Sequence, residues 1–459
     1  MQNIWQKRNA WLQDPVAALE EADRRIAMCR ENRGEILYLG DVKIDRLPAG
    51  IESLTWLREL NLYGSPLTDL DALAPLVNLE QFLAGSLHSR SPQLDFMADW
   101  QSLRRFELIA TTTLDLSPLA TCTNLKHLSI KCSQHPVDLL NLEALGRLKL
   151  ISHLSLNNMR SDHFEAIGEW SDLTFIQLIE TNLDDLAAFS RLGEIDHLDL
   201  HGSPISDLSP MANLPRLRSL KVAKTAISDL TPVALMPSLD ELNVSCTLIA
   251  DLRPLANLNL RSIDLSGCPV ANISSLSDCA NLQRIDLSDT HISSVEALHG
   301  LNQLESLRLA RTNVRKLGPL GAFSRLQFLA AAESNIEGLA ALAPGHSLQG
   351  IDISNTPVVD LSPLREAKSC RSLNLRGSMV SDLSPIIETG SREEDHRYSP
   401  QVLDFRDTPA AKGNDRLAEL AAIAESDKHR CFIETKDYLR AQTVEPKAKR
   451  AGFLRRLLG

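Results

Sequence analysis

The sequence predicts a solenoid of short parallel β-strands, in which one small aliphatic unit recurs along most of the chain. Three observations support this prediction. The pattern LxxLxL recurs from Gly34 to Pro400 at intervals that are mostly 22 residues, which gives 17 candidate units. Leucine supplies 80 of the 459 residues, whereas aromatic residues make up only 4%. A long fixed period is typical of repeat folds, in which each unit buries its apolar face against its neighbours.

Each unit is predicted to begin with a short strand. In the unit that starts at Leu217, the core pair is Leu220 and Val222, and their alternation places one face of the strand inward. A hydroxyl residue before proline, as in Ser209–Pro210 and Thr231–Pro232, indicates the start of a helical turn with the hydroxyl as its cap. The rest of a 22-residue unit is too short for a full α-helix, so a 3₁₀ turn or an extended segment should follow.

Two polar positions recur in most units and are interpreted as structural. Three residues after the core pair, nearly every unit has serine or threonine, whose hydroxyl can hydrogen-bond the backbone of the bend from inside. Cys268 interrupts this series and can only be a weak donor there. The second position is expected to accept from backbone N–H groups of the following turn. Its clearest members are Asp207, Asp229, Asp251, Asp360 and Asp382.

The run LxxLxLxxTxIxDLxPLxxL, which covers about residues 34–408, resembles the 22-residue leucine-rich repeats of bacterial proteins, closest to the internalin-like class. The resemblance implies an α/β solenoid, a leucine-rich-repeat horseshoe with a parallel β-sheet on its concave side. Its convex side would consist of short 3₁₀ or extended segments. The chain differs from secreted internalins because Thr or Ser replaces Asn at the bend, and because neither a signal peptide nor a wall anchor is visible. Function by surface binding is what the resemblance implies.

Four segments are predicted along the chain. Residues 1–33 form an N-terminal helical cap, and residues 34–408 form the leucine-rich-repeat solenoid. Residues 409–444 form a C-terminal helical cap. Residues 445–459 form a basic amphipathic tail, which is either a short contact helix or a solvated tail. The eight extra residues SREEDHRY before the last unit are predicted to form a solvated loop.

Helix signals mark both caps. Asp14 followed by Pro15 indicates a helix start, and Gly34 indicates its end. The inward stripe of the first cap is predicted to be Val16, Leu19, Ala22 and Ile26. The inward residues of the second cap are predicted to be Leu417, Leu420 and Ile423. Both caps would cover a raw end of the repeat stack.

Charge and cysteine content limit the classes of function. The net charge is −11, which argues against non-specific binding to nucleic acid or to an anionic membrane. No apolar run reaches the roughly 18 residues that a membrane span requires. The eight cysteines form no CxxC pair and should be free thiols in a reducing compartment. Together with the resemblance, these features predict a cytoplasmic bacterial protein that acts as a monomer and uses no cofactor.

No catalytic motif is found in the sequence. The patterns GxxxxGK[ST], HExxH and GxSxG are absent, and the recurrent carboxylates follow the repeat, whereas catalytic residues should interrupt it. We therefore predict that the protein is not an enzyme. The outward positions of the strands vary while the core stays constant, which is typical of a recognition surface on a repeat scaffold.

A contact patch is predicted where the outward positions are rich in histidine, lysine and arginine. Phe175 is its expected anchor, since aromatic residues dominate interface energetics. His127 and His153 should lie about 5 Å apart, but His197 is too distant to share a metal ion with them, so contact with protein is preferred. The predicted partner-binding residues are Arg105, His127, His153, Phe175, Gln177, His197 and Lys221. The alternative is that Phe175 merely covers neighbouring side chains.

Two functions remain open from the sequence. The first is non-catalytic protein–protein interaction on the concave face, by an adaptor, an inhibitor or a targeting subunit. The second is a ligand-sensing module that works with a separately encoded GTPase or effector. It is favoured by the segment EEADRRIAMCRENRGEILYLG, which looks like the openings of intracellular bacterial chains in which such repeats precede a GTPase or effector domain.

Overall fold

Short parallel strands, one from each repeat, form the main sheet in both parts of the chain. The computed structural model describes residues 14–87, 94–132, 134–318, 325–342, 347–389 and 401–457. The chain divides after Leu239 into two units, Met1–Leu239 and Asp240–Gly459. The leucine-rich-repeat solenoid predicted from the sequence is confirmed in each unit, as the following elements show.

The first unit contains two sheets among its described residues. Its strands are β1 (Ile36–Tyr38), β2 (Glu59–Asn61), β3 (Gln81–Leu87), β4 (Arg105–Ala110), β5 (Leu114–Asp115), β6 (His127–Lys131), β7 (Val137–Leu140), β8 (His153–Asn157), β9 (Met159–Arg160), β10 (Phe175–Gln177), β11 (His197–Asp199) and β12 (Ser219–Lys221). Strands β5, β7 and β9 form a small parallel sheet of their own. The other strands pair in parallel and in chain order as the main sheet.

The second unit repeats the same arrangement in its described residues. Its strands are β13 (Glu241–Asn243), β14 (Ser262–Asp264), β15 (Arg284–Asp286), β16 (Ser306–Arg308), β17 (Phe328–Ala330), β18 (Gly350–Asp352), β19 (Ser372–Asn374) and β20 (Val402–Asp404). Each pairs in parallel with the next strand along the chain. In both units, the described strands of the main sheet therefore lie side by side in chain order.

The register follows the repeat. Phe175 lies opposite His197, and His197 lies opposite Ser219. Residues at the same position of successive units therefore lie side by side on neighbouring strands. The sequence period is thus converted into rows of side chains that run across the sheet.

Aliphatic residues form the core, and 3₁₀ turns follow the strands as predicted. Leu220 and Val222 are fully buried, which confirms their inward assignment. In the first unit the described 3₁₀ turns are Ile51–Ser53, Asp71–Leu73, Asp95–Met97, Ser117–Thr121, Leu142–Arg147, Phe164–Glu169, Ala187–Arg191, Ser209–Met211 and Thr231–Leu235. In the second unit they are Arg253–Leu255, Ser274–Asp278, Glu296–Leu298, Ser362–Leu364 and Ser384–Glu388.

The prediction that a hydroxyl caps these turns is wrong. Ser209 and Thr231 are the first residues of their turns, and the N-cap residues Leu208 and Leu230 make no side-chain hydrogen bond. The side chain that bonds the start of each turn belongs to the aspartate two residues before the hydroxyl residue. Asp207 Oδ1 accepts from the Ser209 backbone N–H at 2.8 Å, and Asp229 Oδ1 accepts from that of Thr231 at 2.8 Å. A carboxylate at this distance along the chain can reach the unsatisfied N–H at the start of the turn. The predicted role of the repeated aspartates is thereby confirmed.

The hydroxyl that recurs three residues after the core pair bonds the backbone of the bend in most units, as predicted, but the buried Ser65 and Ser378 hydroxyls have no hydrogen-bond partner among the described residues. Thr225 Oγ1 donates to the Val222 carbonyl at 2.7 Å, and Thr247 Oγ1 donates to the Val244 carbonyl at 2.7 Å. Both hydroxyls are buried, so each satisfies a carbonyl that water cannot reach. Cys268 takes the same position, and its thiol donates to the Val244 carbonyl at 3.0 Å.

Helix α1 (Pro15–Glu31) precedes the first strand. Asp14 caps it, since its carboxylate accepts from the Val16 N–H at 3.0 Å. The buried residues of α1 are Ala18, Ala22, Ile26 and Cys29. The predicted stripe is therefore right at Ala22 and Ile26, but Val16 is exposed and Leu19 is only half-buried. Val16 precedes Ala18 by two residues, which turns it about 200° away from the buried side.

Three helices follow the last strand, namely α2 (Pro409–Lys412), α3 (Asp415–Ile423) and α4 (Lys428–Leu457). Leu417 and Leu420 are buried, whereas Ile423 is half-buried. Helix α4 continues across residue 444, where the tail was predicted to begin. The predicted SREEDHRY loop lies outside the described residues. No helix in the described part of the chain is both long and apolar enough to cross a membrane.

Helix α4 carries a buried lysine. Lys436 is only 6% exposed, and its ammonium donates to the Thr389 carbonyl and lies 4.9 Å from the centroid of the Phe432 ring. Arg440 Nη2 donates to the Ile387 carbonyl at 3.3 Å. Burial, and then the nearby Arg440 charge, lower the pKa of Lys436 to about 8. Two cations thus bind the carbonyl end of the 3₁₀ turn Ser384–Glu388, where a helical turn favours positive charge.

The cysteines lead to a labelling prediction. All eight lie in described residues as free thiols, and Cys246 is the exposed one. Burial raises the pKa of Cys122 and Cys279 to about 11, and that of Cys370 and Cys431 to about 12. Because the thiolate is the reactive form, alkylation of the native protein should stop at Cys246. Unreduced, denatured protein should accept eight labels by intact mass. Fewer labels after denaturation would contradict the free thiols.

Candidate interaction surface on the first unit

Four rings form a continuous stack across neighbouring strands of the first unit. His127, His153, Phe175 and His197 are the first residues of β6, β8, β10 and β11, and they lie in register. The distances between successive ring centroids are 5.5, 5.7 and 4.9 Å, with interplanar angles of 27°, 17° and 1°. We call these four residues the ring ladder. Its spacing follows from the separation of parallel strands, about 4.8 Å.

Stacking determines which part of each ring is available. His153 is exposed, while the other three rings of the ladder are half-buried. The inner faces of the stacked rings cover one another, so the ring edges are what the ladder presents outward. Phe175 stacks on His153 on one side and on His197 on the other. It therefore covers its neighbours and at the same time keeps part of its own surface exposed.

Arg105 lies opposite His127 in the register, but its charge is already paired. Its Nε donates to Glu107 Oε1 at 2.8 Å, on the same strand. The same Glu107 oxygen lies 3.5 Å from His127 Nε2. Burial, followed by the Arg105 charge, lowers the pKa of His127, and Glu107 acts in the opposite direction. Glu107 was not among the predicted site residues, although it occupies an outward position two residues after Arg105.

Gln177 is held by the preceding strand. Its Oε1 accepts from Ser155 Oγ at 2.9 Å and from Asn157 Nδ2 at 3.1 Å. These two bonds orient the amide two residues beyond Phe175. Lys221, the last predicted site residue, lies on β12 opposite Asp199. It belongs to the row next to the ring ladder.

In other repeats, the strand position of Gln177 and Lys221 often holds a carboxylate that accepts a hydrogen bond from the backbone. In the first unit, Asp199 Oδ1 accepts from the His201 N–H at 3.1 Å. In the second unit, Asp264 and Asp286 accept in the same way from Ser266 and Ser288, at 3.0 and 2.9 Å. Such Asx turns terminate strands. These carboxylates are therefore engaged by their own backbone.

The structure thus brings four of the seven predicted residues into direct ring contact and places the other three around them. Within the described residues, no three His, Cys, Asp or Glu side chains are grouped so that they could hold a metal ion. The ring ladder is consequently a surface of aromatic and imidazole edges, with an internally compensated ion pair at the Arg105 end.

Comparison with known proteins finds structural matches alone. No protein-family model matches the chain, and no curated protein matches it. A leucine-rich-repeat protein of Leptospira interrogans is 16% identical with a TM-score of 0.57, and the match covers 79% of this chain and 93% of that one. The functional domain of InlJ from Listeria monocytogenes is 17% identical with a TM-score of 0.53, over 84% and 79% of the two chains.

A plant receptor ectodomain whose structure contains a bound factor also matches. It is the leucine-rich-repeat ectodomain of an Arabidopsis thaliana membrane receptor kinase in complex with Casparian strip integrity factor 2. It is 15% identical with a TM-score of 0.57, and the match covers 81% of this chain and 47% of that one. At such identities the similarity concerns the fold. Together with the strand register, it establishes that this chain has the leucine-rich-repeat fold.

Proposed function

We propose that this protein is a non-catalytic interaction protein that binds a partner protein at the ring ladder of its first unit. Its role would be that of an adaptor, an inhibitor or a targeting subunit. The observation that carries the proposal is the ring ladder itself, because the fold does not need rings at this position. The same strand position holds Ser219 in the first unit, and Ser262, Ser306 and Ser372 in the second.

The chemistry of the ladder suits protein recognition. Partly exposed aromatic edges release apolar surface when a partner covers them, and such rings are enriched among the residues that dominate binding energy. Because Glu107 already compensates Arg105, a partner can cover that end of the ladder without leaving an isolated charge. The Arabidopsis ectodomain supports a binding role for the fold, since it was solved with a bound factor.

The test is partner capture from native lysate by the full chain and by the double variant Phe175→Ala with His153→Ala. Capture should fall at least about tenfold, as expected when an interface anchor is removed, while the melting temperature stays unchanged. Phe328→Ala is a matched control, because Phe328 begins β17 at the same strand position and is 47% exposed. It should leave capture at the parent level.

Two outcomes discriminate further. Undiminished capture by the double variant would place the interaction elsewhere on the chain and would refute the proposal. A captured GTPase or effector that binds through the ladder would assign the protein to the sensing role, whereas other partners would assign it to adaptor, inhibitor or targeting roles.

A further inference from the structure

We propose that the partner element bound by the ring ladder is an acidic amphipathic α-helix that lies across the strands, with about one helical turn for each ring. This inference deepens the proposed function and rests on it. It follows from the spacing of the rings, from the ring edges that they present, and from the charges around them.

The spacing favours a helix. Successive rings are separated by 5.5, 5.7 and 4.9 Å. An α-helix advances about 5.4 Å per turn, so side chains at positions i, i+4, i+7 and i+11 follow one another along one side in similar steps. An extended segment places side chains on one face at about 6.7 Å intervals, and it loses register with the rings after two of them.

The exposed edges favour hydrogen-bond acceptors. Aromatic rings are electron-rich on their faces and electron-poor at their edges. Cationic side chains prefer ring faces, but stacking covers the inner faces of the ladder. The edges offer polarised C–H groups and imidazole nitrogens instead. His153 Nδ1 already bonds Ser152 Oγ at 3.1 Å, and His127 Nε2 lies 3.5 Å from Glu107 Oε1, so a partner would contact the other edge atoms of these two rings. Carboxylates are the side chains that accept from such donors. A row of Glu or Asp side chains on the helix is therefore complementary to the ladder.

The surrounding charges couple this binding to pH. His127 faces Arg105 and Glu107 of β4, Lys131 of its own strand and His153 of β8. Glu107 shares one carboxylate oxygen between Arg105 and His127, whereas His153 has no such carboxylate beside it in the described part of the chain. Lys131 is exposed beside the ladder. Two adjacent imidazolium rings 5.5 Å apart repel one another unless an anion lies across them. A bound carboxylate row would stabilise the protonated rings, so the complex should hold more protons than the free protein and tighten as pH falls.

Designed helical peptides test the inference on the full chain. The probe carries four Glu residues at i, i+4, i+7 and i+11, and fluorescence anisotropy measures its binding. One control peptide has Lys in that row, and a second disperses the same Glu residues around the helix. The Glu-row peptide should bind about tenfold tighter than the peptide with dispersed Glu residues. Its own affinity should be about tenfold higher at about pH 5.5 than at about pH 7.5, because imidazole titrates between these two values. The Lys-row peptide should not bind.

A double variant isolates the imidazoles. His127→Gln with His153→Gln should remove most of the pH dependence and leave only the contribution of His197, while the melting temperature stays that of the parent, since both side chains reach solvent. Equal binding of the dispersed or the Lys-row peptide, or no binding of the Glu-row peptide, would overturn the inference. If ladder variants still reduce partner capture in that case, the proposed function stands without the helix. If capture never depended on the ladder, the proposed function itself fails.

Discussion

Leu220→Asp is expected to destabilise the first unit by about 4 kcal/mol or more, because it places an unpaired carboxylate in an apolar core. Leu220 is fully buried at the centre of β12, between neighbouring repeats whose aliphatic residues pack around it. Each repeat buries its apolar face only against adjacent ones, so the loss should spread to β11 rather than stay local. Urea denaturation of the parent and the variant measures the change.

A matched surface variant separates charge from burial. Arg218→Asp introduces the same carboxylate two residues earlier, at a side chain that is 69% exposed and paired with Asp196 at 3.5 Å. Exposed ion pairs contribute little, so this control should change the free energy of unfolding by less than about 1 kcal/mol. Equal denaturation midpoints for Leu220→Asp and the parent would contradict the inward assignment of the core pair Leu220 and Val222.

Lys436→Met is expected to stabilise the second unit at pH 7 and to remove a rise in stability between about pH 8 and pH 10.5. In that interval the folded chain has lost the Lys436 proton while the unfolded chain keeps it. Unfolding therefore takes up a proton, and the stability of the parent increases with pH. Below about pH 8 both states are charged, and the cost of burying the ammonium is fully present.

The size of this effect follows from the pKa difference. A change from 10.5 to about 8 corresponds to about 3 kcal/mol. Methionine cannot donate to the Thr389 carbonyl, and the loss of this hydrogen bond costs about 1 kcal/mol. We therefore expect Lys436→Met to stabilise the second unit by about 2 kcal/mol at pH 7. Urea denaturation of both proteins from about pH 7 to about pH 10.5 tests the prediction. A difference that is constant across this range would show that Lys436 does not titrate as a buried amine.

Periodicity explains why so much of the fold could be predicted from the sequence. Once the period of LxxLxL is known, the strand, the inward pair and the register follow, since equal positions of adjacent repeats must lie side by side. The contact of His127 with His153 could be predicted for this reason, and the rings are indeed 5.5 Å apart. Phe175 and His197 extend the same row by the same rule.

The repeat period could not predict features that depend on side-chain conformation or on packing outside the repeats. Arg105 occupies a position in the repeat, but its pairing with Glu107 depends on rotamers that a period does not specify. Lys436 belongs to a helix outside the repeat, and its burial depends on how that helix packs on the turn before Thr389. The error at Val16 has the same origin, because a single helix offers several stripes and only packing selects one.

The ring ladder occupies positions of the repeat that differ from those that encode folding. Each ring comes from a different repeat and lies outside the inward pair of its strand, so a point mutation at one of these codons can change the outward surface while the core remains intact. Serine takes the same position on β12, so the ring ladder does not continue onto that strand. Duplication of a single repeat by unequal recombination would add one strand, and with it one outward position to this row, without disturbing the other strands. Such a gene can acquire new specificity stepwise, and each intermediate would still encode a folded protein.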